Sequence, residues 1–497
     1  MTVEAGTGTG RRDGGGAGEG WETVIGLEVH CELLTATKLF CGCINAFGDE
    51  PNTNICPVCL GLPGSLPVLN AQAVDMAMRI GLALHCEVRP SSFARKNYFY
   101  PDMPKDYQIS QYDEPIDVGG WLDLPDGWRV GIVRAHLEED TGKTSHLGAD
   151  GRIHASDYSL VDYNRSGVPL VEIVSEPDMR SAAQARAYVS ELRAVLMATG
   201  ASDGRMEEGS LRVDANVSVR PLGSDTLGTR CEIKNLNSLR SLGRAIEYEA
   251  ARQVALIDGG EAVAQETRHW DEAAGRTTTM RSKEEAYDYR YFPEPDLVPL
   301  APDPAWQRQV AAGLGPMPAE RRAALVALLG ASPSPAQLDQ VLAVVAQGLD
   351  PFVTAGAGGP VPAGLALARA ANELAADAEA GRRLDPASWR ALLELEASGA
   401  LSATQAKAVL VDLVAAGGGD PSALAAARGY EAMAEGSLAT VVGEVVAANP
   451  DEWQRFVGGE DKLSGFFIGK VMDATDKKAN GKEVVAELRR LRDGSGR

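Results

Sequence analysis

The sequence predicts an α+β protein: a large N-terminal domain on an open, largely antiparallel sheet, then an all-α helical domain and a small α-helical tail domain. Three observations predict it. Between Trp21 and about Leu300, apolar and polar residues alternate with a period of two, with turn residues between the runs. Only three stretches of that region repeat at helical spacing: Ala71–Leu84, Ser181–Thr199 and Leu239–Ile257. Beyond the proline-rich passage FPEPDLVPLAPDP, the composition shifts to Ala and Leu at helical spacing.

Taken in order, residues 1–20 form a Gly-rich leader with almost nothing to bury, and read as disordered. Residues 21–300 form the sheet domain, and 301–419 a helical domain with an internal break at Pro351–Pro362. Gly417–Gly419 with Pro421 marks a hinge, and 420–497 form the tail. A chain of 497 residues is too long for one core. No run approaches the ~20 apolar residues of a membrane span. The N-terminus lacks the basic-then-apolar order of a secretory signal, so a cytoplasmic location is expected. The net charge of −21 means that any RNA contact must be a local basic patch on an acidic body.

The alternation carries chemistry. In Val24–Leu33 one face is apolar and the other holds Glu28, His30 and Glu32. In Leu211–Arg220 the polar row is Arg212, Asp214, Asn216, Ser218 and Arg220. Arg230, Glu232 and Lys234 alternate with Cys231 and Ile233. Glu172 lies inside the apolar run Val168–Val174, where an unpaired carboxylate is costly. Glu138, Glu139 and Asp140 end another strand-like run. Each strand alone reads as a half-solvated sheet. Together they imply converging carboxylates, which a divalent cation relieves. Carboxylate oxygens suit Mg2+, and interleaved Arg and Lys suit phosphate oxygens, so Mg-ATP chemistry on an open sheet is expected. Gly142-Lys143-Thr144 is only half a P-loop, because Leu137 stands where that motif needs Gly. Lys143 is kept as a phosphate contact without the loop.

Of the seven Cys, Cys41-x-Cys43 and Cys56-x-x-Cys59 form two close pairs. That spacing suits a structural Zn2+ held by four thiolates. Cys31, Cys86 and Cys231 lie in apolar runs and read as core.

Several long segments resemble a known family, the B subunit of the Glu-tRNA(Gln)/Asp-tRNA(Asn) amidotransferases. They are VIGLEVHCEL (24–33), PNTNICPVCLGLPGSLPVLN (51–70), RKNYFYPDMPKDYQISQYDEPI (95–116) and HLEEDTGK (136–143). DYNRSGVPLVEIVSEPD (162–178), MEEGSLRVDANVSVRP (206–221), EIKNLNS (232–238), DYRYFPEPDL (288–297) and GFFIGKVMDAT (465–475) continue the likeness over nearly the whole ordered chain. The resemblance implies a cradle domain related in fold to glutamine synthetase and the guanidino kinases. It implies a Mg2+ pocket of Glu28, His30, Glu139, Glu172 and Glu232. It also implies ATP-dependent phosphorylation of the side-chain carboxylate of mischarged Glu-tRNA or Asp-tRNA, followed by amidation. Lys96, Tyr98, Lys143, Arg212, Asn216 and Lys234 are then expected at the ATP or tRNA end. Ammonia must come from elsewhere, since this chain has neither an amidase Gly-Ser-Ser-Gly-Gly signature nor a plausible Cys–His pair. The resemblance supplies an amidase A subunit and a small C subunit in a heterotrimer.

Some motifs stay open. The Arg95–Tyr112 cluster of basic and aromatic residues either stacks on the terminal adenosine of tRNA or on ATP, or packs core. Tyr289, Arg290 and Tyr291 either line the pocket or lock the domain boundary, and the structural reading is preferred. In the tail, Lys462, Lys470, Lys477, Lys478, Lys482, Arg489, Arg490 and Arg492 form either an RNA-facing patch or a solvated helix face. The competing class is a non-catalytic tRNA-binding scaffold, which needs no carboxylate cluster. On the catalytic reading, Glu139 or Glu232 changed to Ala abolishes ATP hydrolysis and spares tRNA binding.

Overall fold

The computed structural model describes residues 20–148, 156–282, 289–330, 332–430, 437–475, 479 and 481–495. The leader through residue 19, and Lys477 and Lys478, lie outside them. The chain divides into two units at Ala319/Glu320.

The first unit runs β1 (Trp21–Glu32), α1 (Ala71–Ala83), β2 (Glu87–Val88), β3 (Ala94–Asn97), β4 (Tyr107–Ser110), β5 (Asp117–Val118), β6 (Trp121–Asp123) and β7 (Arg129–Glu139). It continues with β8 (Lys143–Gly148), β9 (Ser156–Asp162), β10 (Pro169–Ser175), α2 (Ala182–Ala198), β11 (Leu211–Pro221) and β12 (Cys231–Leu236). It ends with α3 (Leu239–Asp258), β13 (Glu266–Asp271), β14 (Arg276–Ser282), β15 (Phe292–Pro293) and α4 (Pro304–Ala312). The main sheet has the order β14-β13-β12-β11-β1-β10-β7-β4-β3-β15, with β2, β5 and β6 attached beside β7, while β8 and β9 form a separate pair. Every pairing on that path is antiparallel except β12–β13, which is parallel. The exception has a cause: α3 separates those two strands and supplies the crossover a parallel neighbour needs.

The three helices form where the spacing predicts, to within one or two residues. Each begins at a side-chain cap: Asn70, Ser181 and Ser238 accept backbone N–H groups of Gln72, Gln184 and Ser241. The apolar row of β1, Ile25, Leu27, Val29 and Cys31, is buried with Val74 and Ile80 of α1, Val189 and Leu192 of α2, and Leu242 and Ile246 of α3. One face of the sheet is thus the core, and the alternate residues point the other way.

Two boundaries differ from expectation. Val310 of α4 belongs to the first core, and Ser91 and Leu300 form a backbone bridge, so the first unit extends past the proline-rich passage to Ala319. The prolines stop helices and central strands there, but the segment is tied to a sheet edge. In the second unit all described elements are helical, from Pro318–Leu329 to Gly481–Ser495. One cluster there, containing Val344, Leu367, Trp389 and Leu410, extends to Ala425, and a second gathers Val442, Phe456, Phe467, Val471 and Leu488. The change of core therefore falls after the expected hinge. Gly417, at φ 73°, caps its helix, and Asp420 starts another at once. No single described helix is long and apolar enough to cross a membrane.

Asp117 of β5 is fully buried, neither carboxylate oxygen has a hydrogen-bond partner, and the carboxyl lies against Gly81 of α1. Burial drives its pKa well up. A raised folded pKa means stability is lost as pH rises above the unfolded value near ~3.9. Asp117→Ala is expected to gain about 1–3 kcal/mol at pH 7 and progressively less toward pH 4. Urea unfolding at several pH values checks this; an unchanged midpoint at pH 7 contradicts it.

Candidate active site on the polar face of the sheet

The register of β1 decides which polar residues meet. His30 lies opposite Arg212 on β11 and Glu172 on β10, Glu172 lies opposite His136 on β7, and Glu28 lies opposite Asp214. His30 Nε2 is 3.3 Å from Glu172 Oε2 and 3.8 Å from Glu138 Oε1, and His136 Nε2 is 3.8 Å from Glu138 Oε2. One ligand atom each from His30, Glu138 and Glu172 lies within 4.8 Å of the others, an arrangement that can hold a metal ion. Glu28 accepts a hydrogen bond from Asn216 Nδ2 at 2.9 Å. Glu232 accepts from Thr267 Oγ1 at 2.9 Å and pairs with Lys234 at 3.1 Å, and Lys234 also reaches Asp214 at 2.8 Å. Arg134 stands 3.6 Å from Glu172.

Crowded carboxylates leave an electrostatic signature. Burial, then the charges of Glu172 and Glu232, push the Glu28 carboxyl up. Burial alone pulls His30 down, but its hydrogen bond to Glu172 and the charges of Glu172 and Glu138 raise it to about 9. Burial opposes ionisation of Glu172, yet His136, His30 and Lys96 hold its carboxyl well below the usual range. Desolvation pulls Lys234 down, but the charges of Asp214 and Glu232 and its hydrogen bonds to them hold it above the usual lysine range.

The HLEED run divides its acids among three jobs. Glu138 faces His30 and Glu172. Glu139 points to the opposite face, where it accepts the Ile109 N–H at 3.0 Å and pairs with buried Lys105. Asp140 pairs with Arg212 at 2.6 Å and lies 3.6 Å from Arg165. The expected place of Glu139 in the cluster is therefore corrected to Glu138. Ala135 and Leu137 are core, and Glu139 shares their phase, so the period of two already contained this answer. Lys143 also stays away: the Gly142 N–H bonds to Asp102 O, the chain leaves the main sheet, and Lys143 sits exposed on β8 opposite Asp162. Lys96 acts on Glu172, whereas Tyr98 stacks on Tyr100 at 4.6 Å. Tyr112 and Tyr291, stacked at 4.3 Å, stand at the same end, since Glu138 and Glu172 both act on the Tyr291 phenol. A cavity of about 410 Å3 adjoins the other end, lined by Gly26, Glu28, Asn216, Ser218 and Arg230.

The sulfurs of Cys41, Cys43, Cys56 and Cys59 lie within 4.8 Å of one another, with Cys56 and Cys59 3.9 Å apart. A tetrahedral metal with ~2.3 Å bonds to sulfur needs about 3.8 Å between sulfurs, so the cluster fits one. A hydrogen bond from Cys41, with nearby Lys38, lowers Cys59 to about 5, while burial and Cys56 raise Cys43 to about 11. A smaller cavity of about 50 Å3 lies beside Cys41, Cys59, Lys105 and Glu139. Cys31, Cys86 and Cys231 are buried and free, as expected of core residues.

Fold and site together define an enzyme-type α+β domain with a carboxylate–imidazole cluster on the open face of a sheet, followed by a helical region. Residues 23–308 match the GatB/GatE catalytic domain, and residues 365–491 the GatB domain, so this chain belongs to the GatB/GatE family. It is 51% identical over 488 residues to a protein of Frankia casuarinae named as the B subunit of an aspartyl/glutamyl-tRNA(Asn/Gln) amidotransferase, covering 95% of each chain. It is 49% identical over 467 residues to the protein of that name from Moorella thermoacetica, covering 93% of this chain and 97% of the other. Against the one from Thermobifida fusca it is 48% identical over 482 residues, covering 93% and 92%.

His30 provides a direct check. Its raised pKa stabilises the fold below the unfolded value of ~6.5, and that contribution is lost as pH rises through about 9. In metal-free protein, NMR should place the His30 titration near 9, and Glu172→Gln should move it down by at least about one unit. A wild-type midpoint near ~6.5 contradicts the geometry.

Proposed function

We propose that this chain is the ATP-using subunit that activates the amino acid of mischarged Glu-tRNA(Gln) or Asp-tRNA(Asn) for amidation. The observation that carries the reading is the convergence of His30, Glu138 and Glu172, with Glu28 and Glu232 beside them, on one face of one sheet. A tRNA-binding scaffold has no use for that cluster. The names of the relatives support the substrate, and the family supports ATP as the energy source.

The reaction requires a poor electrophile, a carboxylate, to become a good one. Its side-chain oxygen attacks the γ-phosphorus of ATP, ADP leaves, and the acyl phosphate is then attacked by ammonia with loss of phosphate. Most of the work is positioning and charge neutralisation. His30, Glu138 and Glu172 would hold Mg2+, with Glu28 and Glu232 at its side; bound there, the ion offsets phosphate charge. Lys96, Arg134 and Arg212 present donors to anionic oxygens, and Asp140 orients the Arg212 guanidinium. Asn216 fixes Glu28, and Lys234 bridges Asp214 and Glu232. The cavity beside Glu28 and Asn216 has room for the nucleotide. Ammonia comes from an amidase subunit, with a small third subunit completing the complex, in the cytoplasm. The tail is assigned to tRNA. The four-cysteine cluster is assigned a structural Zn2+, with no ligand position left open.

The test uses the assembled complex, mischarged tRNA, ATP and ammonium chloride in place of glutamine. Glu138→Gln should lower amidation at least ~100-fold and weaken Mn2+ binding about tenfold by EPR, whereas Glu139→Gln should leave Mn2+ affinity within about twofold. Normal turnover by Glu138→Gln would sink the reading. Separately, elemental analysis should find about one zinc per chain, lost in Cys59→Ser; a zinc-free wild type removes that assignment.

A further inference from the structure

Arg95, Lys96 and Asn97, three consecutive residues of β3, all grip one segment, Tyr289–Glu294. That segment returns to the sheet edge from far along the chain, Glu294 being 199 residues beyond Arg95. Arg95 donates to both carboxylate oxygens of Glu294, at 2.7 and 2.8 Å, and the Glu294 side chain is fully buried. Asn97 Nδ2 donates to the carbonyls of Tyr289 at 2.8 Å and Arg290 at 3.1 Å. Arg290 is held at φ 47°, a left-handed conformation that a non-glycine residue keeps only where its surroundings dictate it.

This anchoring sets a row of rings. Tyr291 stacks on Tyr112 at 4.3 Å and 14°, and meets Tyr289 edge-on at 6.1 Å. Lys96 Nζ lies 4.8 Å from the centre of the Tyr289 ring, and the Arg134 guanidinium lies 6.0 Å from that of Tyr112. Both cations belong to the polar face: Arg134 is 3.6 Å from Glu172, and Lys96 shares the phase of Ala94, whose partner Ser110 lies opposite Glu138, so that its charge is felt at the same carboxylate. Long cationic side chains lose much rotamer freedom when fixed, and a ring face supplies a partner that does not consume their hydrogen-bond donors.

We infer that Tyr289–Glu294 is a positioning strap, whose rings, with Tyr112, hold Lys96 and Arg134 beside Glu172 and leave their N–H groups for the anionic oxygens of the substrate. The strap thus does more than close the domain boundary, and its tyrosines are positioning residues that act through the two cations. Only the identity of those oxygens rests on the proposed reaction.

Two measurements on the full chain separate the strap from that reaction. In the assembled complex, Tyr289→Leu and Tyr291→Leu should lower kcat for ammonium-dependent amidation about tenfold with KM for ATP within about twofold, and Phe at either position should restore kcat. Without substrates, the rate at which an amine-acylating reagent modifies Lys96, read by mass spectrometry, should rise about fivefold in Tyr289→Leu and not in Tyr289→Phe. Unchanged Lys96 reactivity in a Tyr289→Leu protein with wild-type thermal midpoint overturns the strap. So does a Phe variant as damaged as Leu, which would make the hydroxyls the working groups. A wild-type complex without ATP-dependent amidation refutes the proposed function instead, and Lys96 reactivity then decides the strap alone.

Discussion

Charge balance on one sheet face is the constraint that organises this protein. Glu28, Glu138, Glu172, Asp214 and Glu232 share that face with His30, Arg134, Arg212 and Lys234. Two like charges 4 Å apart at a protein surface repel by about 4 kcal/mol, so five acids cannot gather without partners. The pairs visible in the structure are that compensation: Arg134 and His30 to Glu172, Lys234 to Asp214 and Glu232. Glu28 accepts from a neutral amide, and burial, then the charges of Glu172 and Glu232, push its carboxyl up. The remaining deficit of positive charge is what makes the face receptive to a divalent cation.

The opposite face is the precondition. α1, α2 and α3 all pack on the apolar row, which leaves the polar row of the same strands on the other side of the sheet. Strand β7 then serves both sides at once. Glu138 belongs to the cation cluster, while Glu139, one residue on, reaches Lys105 and the cavity beside Cys41 and Cys59. A shift of one residue in the β7–β10 register would exchange the two acids. The paired backbone from Pro169–Glu139 to Val174–Arg134 is therefore as much a part of the site as its side chains.

Much of this was legible in the sequence because period and composition report local forces. The three helices, the sheet strands, the polar rows of β1 and β11 and the cysteine cluster all follow from patterns within a few dozen residues. What failed needed information of another kind. Choosing between Glu138 and Glu139 required strand phase, which Ala135 and Leu137 supplied but which a motif read as a block concealed. Lys143 looked like a phosphate ligand by its Gly and Thr neighbours, and only the departure of the chain from the sheet at Gly142 removes it. The prolines after Phe292 signalled a domain boundary, whereas backbone pairing to β3 makes Phe292 and Pro293 a strand edge, a tertiary fact that propensity does not encode. Glycines at 417–419 signalled a hinge, yet the helix that follows buries Ala425 in the same core.

The two clusters able to hold metal stand in opposite relation to folding. Cys41, Cys43, Cys56 and Cys59 lie within one loop, so closing it costs little entropy and a bound ion can organise it locally. His30, Glu138 and Glu172 come from three strands, and His30 meets Glu172 only after β1 has paired with β10. No fragment lacking any of those strands contains that site. Its acids must therefore be held together by the apolar face before any cation arrives, and the stability that holds them must come from the packing of β1, β7 and β10 against the helices. The carboxylate cluster is thus a load carried by the fold, whereas the cysteine cluster would become a support for it with the proposed ion bound. The first cluster accordingly carries its own cationic partners, Arg134 beside Glu172 and Lys234 beside Asp214, whereas Lys38 is the cation that acts on Cys59 in the second.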